Sequence, residues 1–149
     1  MSQNKIIRHK LIDRLFHWFL AISILVLLIS GLLPVYGFNA SLIVIHWIVG
    51  LGLTALLLIH ICRSLFWKKI SSIWFSHTDL ELNRERIGKY SLAQKLMHQF
   101  IAVLTLAGII TGLIMMVRID TPLWERDPYW LNADTWGVVF FIHGLVALS

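Results

Sequence analysis

Residues 15–62 read LFHWFLAISILVLLISGLLPVYGFNASLIVIHWIVGLGLTALLLIHIC, a run of 48 residues without Asp, Glu, Lys or Arg. About 20 helical residues cross a bilayer core of about 30 Å, so this run is long enough for two spans and a turn. The segment PVYGFN, Pro34–Asn39, is the predicted turn because Pro and Gly interrupt helices. The run therefore predicts a transmembrane hairpin with helices at about 13–33 and 41–66.

The remainder of the chain supplies two more apolar segments. Leu96–Val117 carries no charge, and we place a third helix at about 92–117. A fourth predicted helix, at about 135–149, covers only about 22 Å at 1.5 Å per residue, which is less than a bilayer core. We therefore expect the fourth helix to be incomplete, in a chain shortened from a longer protein.

The composition excludes several classes of protein. Of the 149 residues, 58% are hydrophobic and 14% are charged, and the mean hydropathy is +0.76, whereas soluble domains are about 45–50% apolar and about 25% charged. One Cys, three Pro and nine Gly also exclude a disulfide scaffold, a disordered chain and a collagen-like fibre. The predicted fold is an all-α integral membrane four-helix bundle, forming one domain over residues 1–149.

The net charge of +5 has a topological explanation. Eleven of the 13 Lys and Arg lie before residue 15 or between Arg63 and Lys95, and none lies between the first two predicted helices. By the positive-inside rule, the N-terminus and the loop between helices two and three are cytoplasmic. The basic residues therefore do not predict nucleic-acid binding.

Two connections carry unusual numbers of aromatic residues. Leu65–Phe75 mixes aromatics with lysines, which fits either a helix in the membrane interface or a helix end in an aromatic belt. The connection between helices three and four contains Trp124 and Trp130, followed by Trp136. We expect this outer connection to be ordered and long enough to dock another subunit.

The chain contains an internal repeat. Displacement by 81 residues aligns 15–33 with 96–114, with eight of 19 positions identical, and displacement by 97 aligns 45–46 with 142–143. This pattern predicts a duplicated two-helix hairpin. The aligned pairs include His17 with His98, Gly31 with Gly112, and His46 with His143.

Five histidines lie in predicted helices, at two levels of the membrane. Polar residues in spans are costly, so each is a candidate functional residue. The outer level holds His46 and His143, and the inner level holds His17, His60 and His98. Neutral imidazole ligates haem iron, and the aligned glycines leave room for a flat group. The pattern therefore predicts two stacked haems, with the inner ligands left open among three histidines.

Several short motifs occur in an order that points to a known family. The chain resembles the cytochrome b (gamma) subunit of respiratory formate dehydrogenases, within the group that includes hydrogenase b-type cytochromes. The motifs are Asp13–Trp18 (DRLFHW), Ser30–Leu32 (SGL), Ile45-His46, Arg63, Gly88–Lys95 (GKYSLAQK) and Ile142-His143.

The resemblance implies a di-haem electron-transfer subunit in the bacterial inner membrane, without substrate chemistry of its own. Such a subunit passes electrons between the iron–sulfur and catalytic subunits of a dehydrogenase and membrane quinone, either menaquinone or ubiquinone. It implies His46 and His143 as outer haem ligands and His17 as an inner ligand, with a partner 14 residues after His143. His60 remains the rival of His17, and His98 is more typical of a pocket or structural residue.

The resemblance also implies a quinone pocket at the start of the third helix, formed by Ser91, Ala93 and Gln94. The family's stretch Lys-Tyr-Asn-Ala-Gly-Gln-Lys reads KYSLAQK here, at 89–95. The Asn and Gly of the family's stretch are therefore replaced in this chain.

Two other function classes are open from the sequence. One is a His-lined metal or proton transporter, although such spans usually carry acidic residues, and 15–62, 96–117 and 135–149 have none. The other is a passive membrane anchor for a partner enzyme, which would not need histidines paired at one depth.

Overall fold

The computed structural model describes residues 11–38, 41–67 and 92–149. Throughout these residues the regular structure is helical, with no strand apart from an isolated bridge between Thr121 and Trp124. The prediction of an all-α fold is confirmed. Two predicted features lie outside the described residues: Ser91 of the quinone pocket, and the part of the aromatic stretch Leu65–Phe75 that follows Trp67.

Four helices follow one another along the described chain, and three of them are long and apolar enough to cross a membrane. Many large apolar side chains on these three helices face outward; Trp18 is 67% exposed and Leu58 is 58% exposed. Such exposure fits lipid rather than water as the surrounding medium. The helices are α1 (Leu11–Val35), α2 (Leu42–Trp67), α3 (Leu92–Met116) and the shorter α4 (Ala133–Leu148).

The first compact unit ends at Ile61 and contains α1 and most of α2. Pro34 lies inside α1, in its last turn. Gly37, with φ of +85°, ends the helix, and the amides of Gly37 and Phe38 donate to the carbonyls of Pro34 and Leu33 at 3.1 Å each. This is a Schellman motif, in which glycine takes the left-handed position. It turns the chain from α1 towards an antiparallel α2.

The second compact unit begins at Cys62 and contains α3 and α4. An ordered connection joins them: the Trp124 indole donates to the Met116 carbonyl at 2.9 Å, and the Trp136 indole donates to the Pro128 carbonyl at 3.1 Å. Asn132 caps α4 by accepting from the Thr135 amide at 2.8 Å. The two helices pack antiparallel, so the end of α3 lies beside α4.

Candidate functional site

His46, near the start of α2, is hydrogen-bonded to α1 through its Nδ1 atom. Nδ1 lies 3.0 Å from the Leu27 carbonyl oxygen and 3.1 Å from Ser30 Oγ. The Ser30 hydroxyl donates its hydrogen to the Val26 carbonyl at 2.7 Å, so Oγ acts as an acceptor towards the ring. A carbonyl also only accepts, so Nδ1 carries the hydrogen of the neutral ring. Nε2 is then the unprotonated nitrogen, and its lone pair can bind a metal.

Gly31 lets the His46 ring approach the α1 backbone closely. A Cβ atom at position 31 would lie 3.0 Å from Cε1 and 3.3 Å from Nδ1 of His46. Carbon atoms normally pack at about 3.5–4.0 Å. A side chain at this position would therefore displace the ring.

The second hairpin repeats this arrangement around His143 of α4. Thr111 Oγ1 lies 2.9 Å from His143 Nδ1 and donates to the Ala107 carbonyl at 2.7 Å. A Cβ atom at Gly112 would lie 3.2 Å from His143 Cε1. With the Thr111 hydrogen directed to the Ala107 carbonyl, Nδ1 of His143 is the protonated nitrogen and Nε2 carries the lone pair.

Residues that are related by the sequence repeat also make equivalent hydrogen bonds in the two hairpins. The 81-residue displacement carries Ser30 and Gly31 onto Thr111 and Gly112, and the 97-residue displacement carries His46 onto His143. Sequence reasoning identified the histidines and glycines but missed both hydroxyls. The available signal was a Ser aligned with a Thr immediately before the aligned glycines.

The inner-level histidines of the first hairpin lie side by side. The rings of His17 and His60 are 5.7 Å apart between centroids, at 86° to each other, and the Phe16 ring lies 6.0 Å from His60. His17 Nδ1 donates to the Asp13 carbonyl at 2.6 Å, which leaves Nε2 unprotonated in the neutral ring. The structure thus brings together the two residues that the sequence offered as rivals.

The remaining described residues of the predicted site lie on α3. His98, on α3, is exposed, as are Ala93 and Gln94 in the first turn of that helix. Within residues 11–38, 41–67 and 92–149, no three His, Cys, Asp or Glu side chains converge on a possible metal-ion site. Haem needs no such cluster, because the porphyrin supplies four ligands and the protein supplies only axial ones.

Comparison with known proteins identifies the family. A family model described as prokaryotic cytochrome b561 matches residues 8–149. The chain belongs to the prokaryotic cytochrome b561 family. A search of curated proteins and a search of solved structures returned no match. The protein is therefore a multi-pass membrane b-type cytochrome, with the haem binding and electron transfer that this family implies.

The residues of this cytochrome fit a b-type haem. Bis-imidazole ligation requires neutral histidines, each held in one orientation with Nε2 as the donor atom. His46 and His143 meet this requirement through Nδ1 bonds at 3.0 Å and 2.9 Å. His17 meets it through a backbone carbonyl at 2.6 Å.

Proposed function

We propose that this protein is a di-haem b-type cytochrome that passes electrons between a partner dehydrogenase and the membrane quinone pool. The observation that carries the proposal is the duplicated arrangement of histidine, hydroxyl and glycine in the two hairpins. Haem, when bound, supplies a one-electron iron couple. The chain itself binds and orients it.

In this proposal His46 and His143 would hold the outer haem through their Nε2 atoms. Each hairpin supplies one imidazole, from equivalent positions of the repeat. Each ring is anchored at Nδ1 and lies against a glycine. Such anchoring fixes the tautomer and the ring orientation before the cofactor binds, which reduces the ordering cost of binding.

The inner haem takes His17 as a ligand, in keeping with the resemblance to formate dehydrogenase cytochromes. His60 is the alternative, since its ring lies 5.7 Å from that of His17. The Asp13 carbonyl favours His17, because it holds Nδ1 as a hydrogen-bond donor and leaves Nε2 to the iron.

The partner proposed on the outer side is the iron–sulfur subunit of a dehydrogenase similar to formate dehydrogenase. Its docking surface would include the connection between α3 and α4, where Tyr129 is 91% exposed and Trp130 is 55% exposed. Quinone would bind at the cytoplasmic side, near Ser91, Ala93 and Gln94. In this proposal the protein lies in the bacterial inner membrane with its N-terminus in the cytoplasm, the side that the positive-inside rule assigns to the Lys- and Arg-rich segments.

The test is the haem content of the full chain purified in detergent. A reduced-minus-oxidised spectrum of b type is expected, with two haems per chain. His46→Ala and His143→Ala should each remove the same haem, and His17→Ala should remove the other. His60→Phe, which keeps a ring beside Phe16 and His17, should retain both haems.

Other results would overturn the proposal or change the assignment of the haem ligands. A helical preparation without haem would overturn the proposal. Two haems retained in His143→Ala would overturn the outer ligand pair. Loss of the inner haem in His60→Phe, with retention in His17→Ala, would transfer the inner ligand to His60.

A further inference from the structure

Two of the helix hydroxyls differ from the others in the described residues. Ser23 and Thr54 donate to carbonyls four residues back in their own helices, at 2.8 Å each. Ser30 and Thr111 make the same backbone bond at 2.7 Å, but each also bonds an imidazole of the neighbouring helix. The backbone bond is the ordinary way for Ser and Thr to satisfy a hydroxyl inside a helix. The bond to the imidazole requires a separate explanation.

Both hydroxyls occupy sites closed to solvent. Ser30 is 3% exposed and Thr111 is 7% exposed, and both are among the few buried polar residues of the described chain. A buried hydroxyl whose hydrogen is held by a carbonyl presents only lone pairs to a neighbour. Each hydroxyl therefore accepts from Nδ1–H and cannot rotate to donate without losing its backbone bond.

This geometry affects the donor strength of the opposite ring nitrogen. An acceptor on Nδ1–H draws the hydrogen away from the ring and raises the basicity of Nε2. A more basic ligand stabilises ferric iron relative to ferrous iron, which lowers the reduction potential. The bond also fixes the rotation of the ring about its axis, and hence the ring plane that the iron experiences.

We propose that Ser30 and Thr111 are positioning residues that orient His46 and His143 and lower the reduction potential of the haem bound by these histidines. The proposal rests on the proposed function, in which the two histidines are ligands of one haem. Each hydroxyl accepts from the Nδ1 atom of its own histidine, so the effects of the two hydroxyls have the same sign.

Thr111→Val tests the proposal, since valine keeps the branched shape and removes the acceptor. At a fixed potential, the ratio of oxidised to reduced outer haem should fall, which corresponds to a positive shift of the reduction potential; for one electron, each tenfold fall in this ratio is about 59 mV. The low-field g value of the ferric haem should change as well, because the ring plane is released. Thr111→Ser restores the hydroxyl and should restore both values.

Ser30→Ala provides a second, milder variant. The Leu27 carbonyl, 3.0 Å from Nδ1, still accepts from His46, so the shift should have the same direction and a smaller size. Thr54→Val and Ser23→Ala are the matched controls, because they remove hydroxyls that bond only their own helices. Both controls should leave the potential unchanged.

The outcomes separate this proposal from the proposed function. Loss of the outer haem in His143→Ala, together with an unchanged potential in Thr111→Val and Ser30→Ala, overturns only the role of the hydroxyls. Equal shifts in Thr111→Val and Thr111→Ser overturn it too, since the hydroxyl would then be irrelevant. A wild-type chain without haem overturns the proposed function and this proposal together. If Thr111→Val does not retain haem, the reduction potential of Ser30→Ala decides whether the hydroxyls lower the potential.

Discussion

Gly31 makes the sharpest prediction at the scale of one residue. Gly31→Ala places a Cβ atom 3.0 Å from Cε1 of His46, and the ring is held by two bonds to α1. Overpacking of this kind costs about 1–3 kcal/mol. We expect a lower free energy of unfolding and weaker retention of the outer haem, measured by denaturant titration and by haem content after dilution.

Gly52→Ala is the matched control, since no atom lies within 4 Å of a Cβ at that position. It should be neutral, or stabilising by up to about 1 kcal/mol through helix propensity. Gly112→Ala should have an effect between the two, because its Cβ would lie 3.2 Å from His143. Equal haem retention in Gly31→Ala and Gly52→Ala would show that close approach of the imidazole to the backbone has no role.

The sequence revealed some of these residues and concealed others. His46 and His143 stood out because ionisable residues are scarce in apolar spans and because the repeat aligned them. Ser30 and Thr111 did not, since their roles depend on the register between two helices. Spacing within one helix carries no information about that register. The glycines were expected to admit a flat cofactor, and in the structure the group closest to them is the imidazole ring.

Helix positions were predicted well, and the differences have physical causes. The first helix was expected at about 13–33, but α1 extends to Val35 with Pro34 inside it. Pro34 has no N–H to donate to the carbonyl of Ser30, so the helix loses one backbone hydrogen bond there but continues for another residue. Gly37 ends the helix instead. Whether Pro34 or Gly37 ends the helix depends on the backbone dihedral angles, which the composition of the segment does not determine.

The end of α1 gives a prediction at the scale of one element. Gly37 has a φ of +85°, and a Cβ there would have no atom within 4 Å. Any cost of Gly37→Ala is therefore a backbone cost, about 1–2 kcal/mol, seen as a lower free energy of unfolding with normal haem spectra. Gly37→Asn should lose less, because Asn tolerates the left-handed region. A larger loss for Asn than for Ala would contradict this account of the helix end.

For the molecule as a whole, the fold class was predicted from the stretches of sequence that contain no charged residue. Runs free of charged residues fixed the number and the approximate positions of the apolar helices, and three of them have membrane-spanning length. The order of the short motifs indicated a b-type cytochrome, and the family match over residues 8–149 agrees with it at the level of the family. The substrate of the proposed dehydrogenase partner leaves no such trace, because in the proposal a separate chain would bind it.

Orientation in the membrane is the prediction that belongs to the whole molecule. Lys and Arg are concentrated before residue 15 and between Arg63 and Lys95, which predicts a cytoplasmic N-terminus and an external connection between α3 and α4. Because Cys62 is the only cysteine, a Cys62→Ala background allows single cysteines to be introduced. Tyr129→Cys, at a position that is 91% exposed, should react with a membrane-impermeant thiol reagent in intact spheroplasts, whereas Ser2→Cys should react only after lysis. The reverse pattern would place His46 and His143 on the cytoplasmic side and would contradict the proposal that they hold the haem nearer an external iron–sulfur donor.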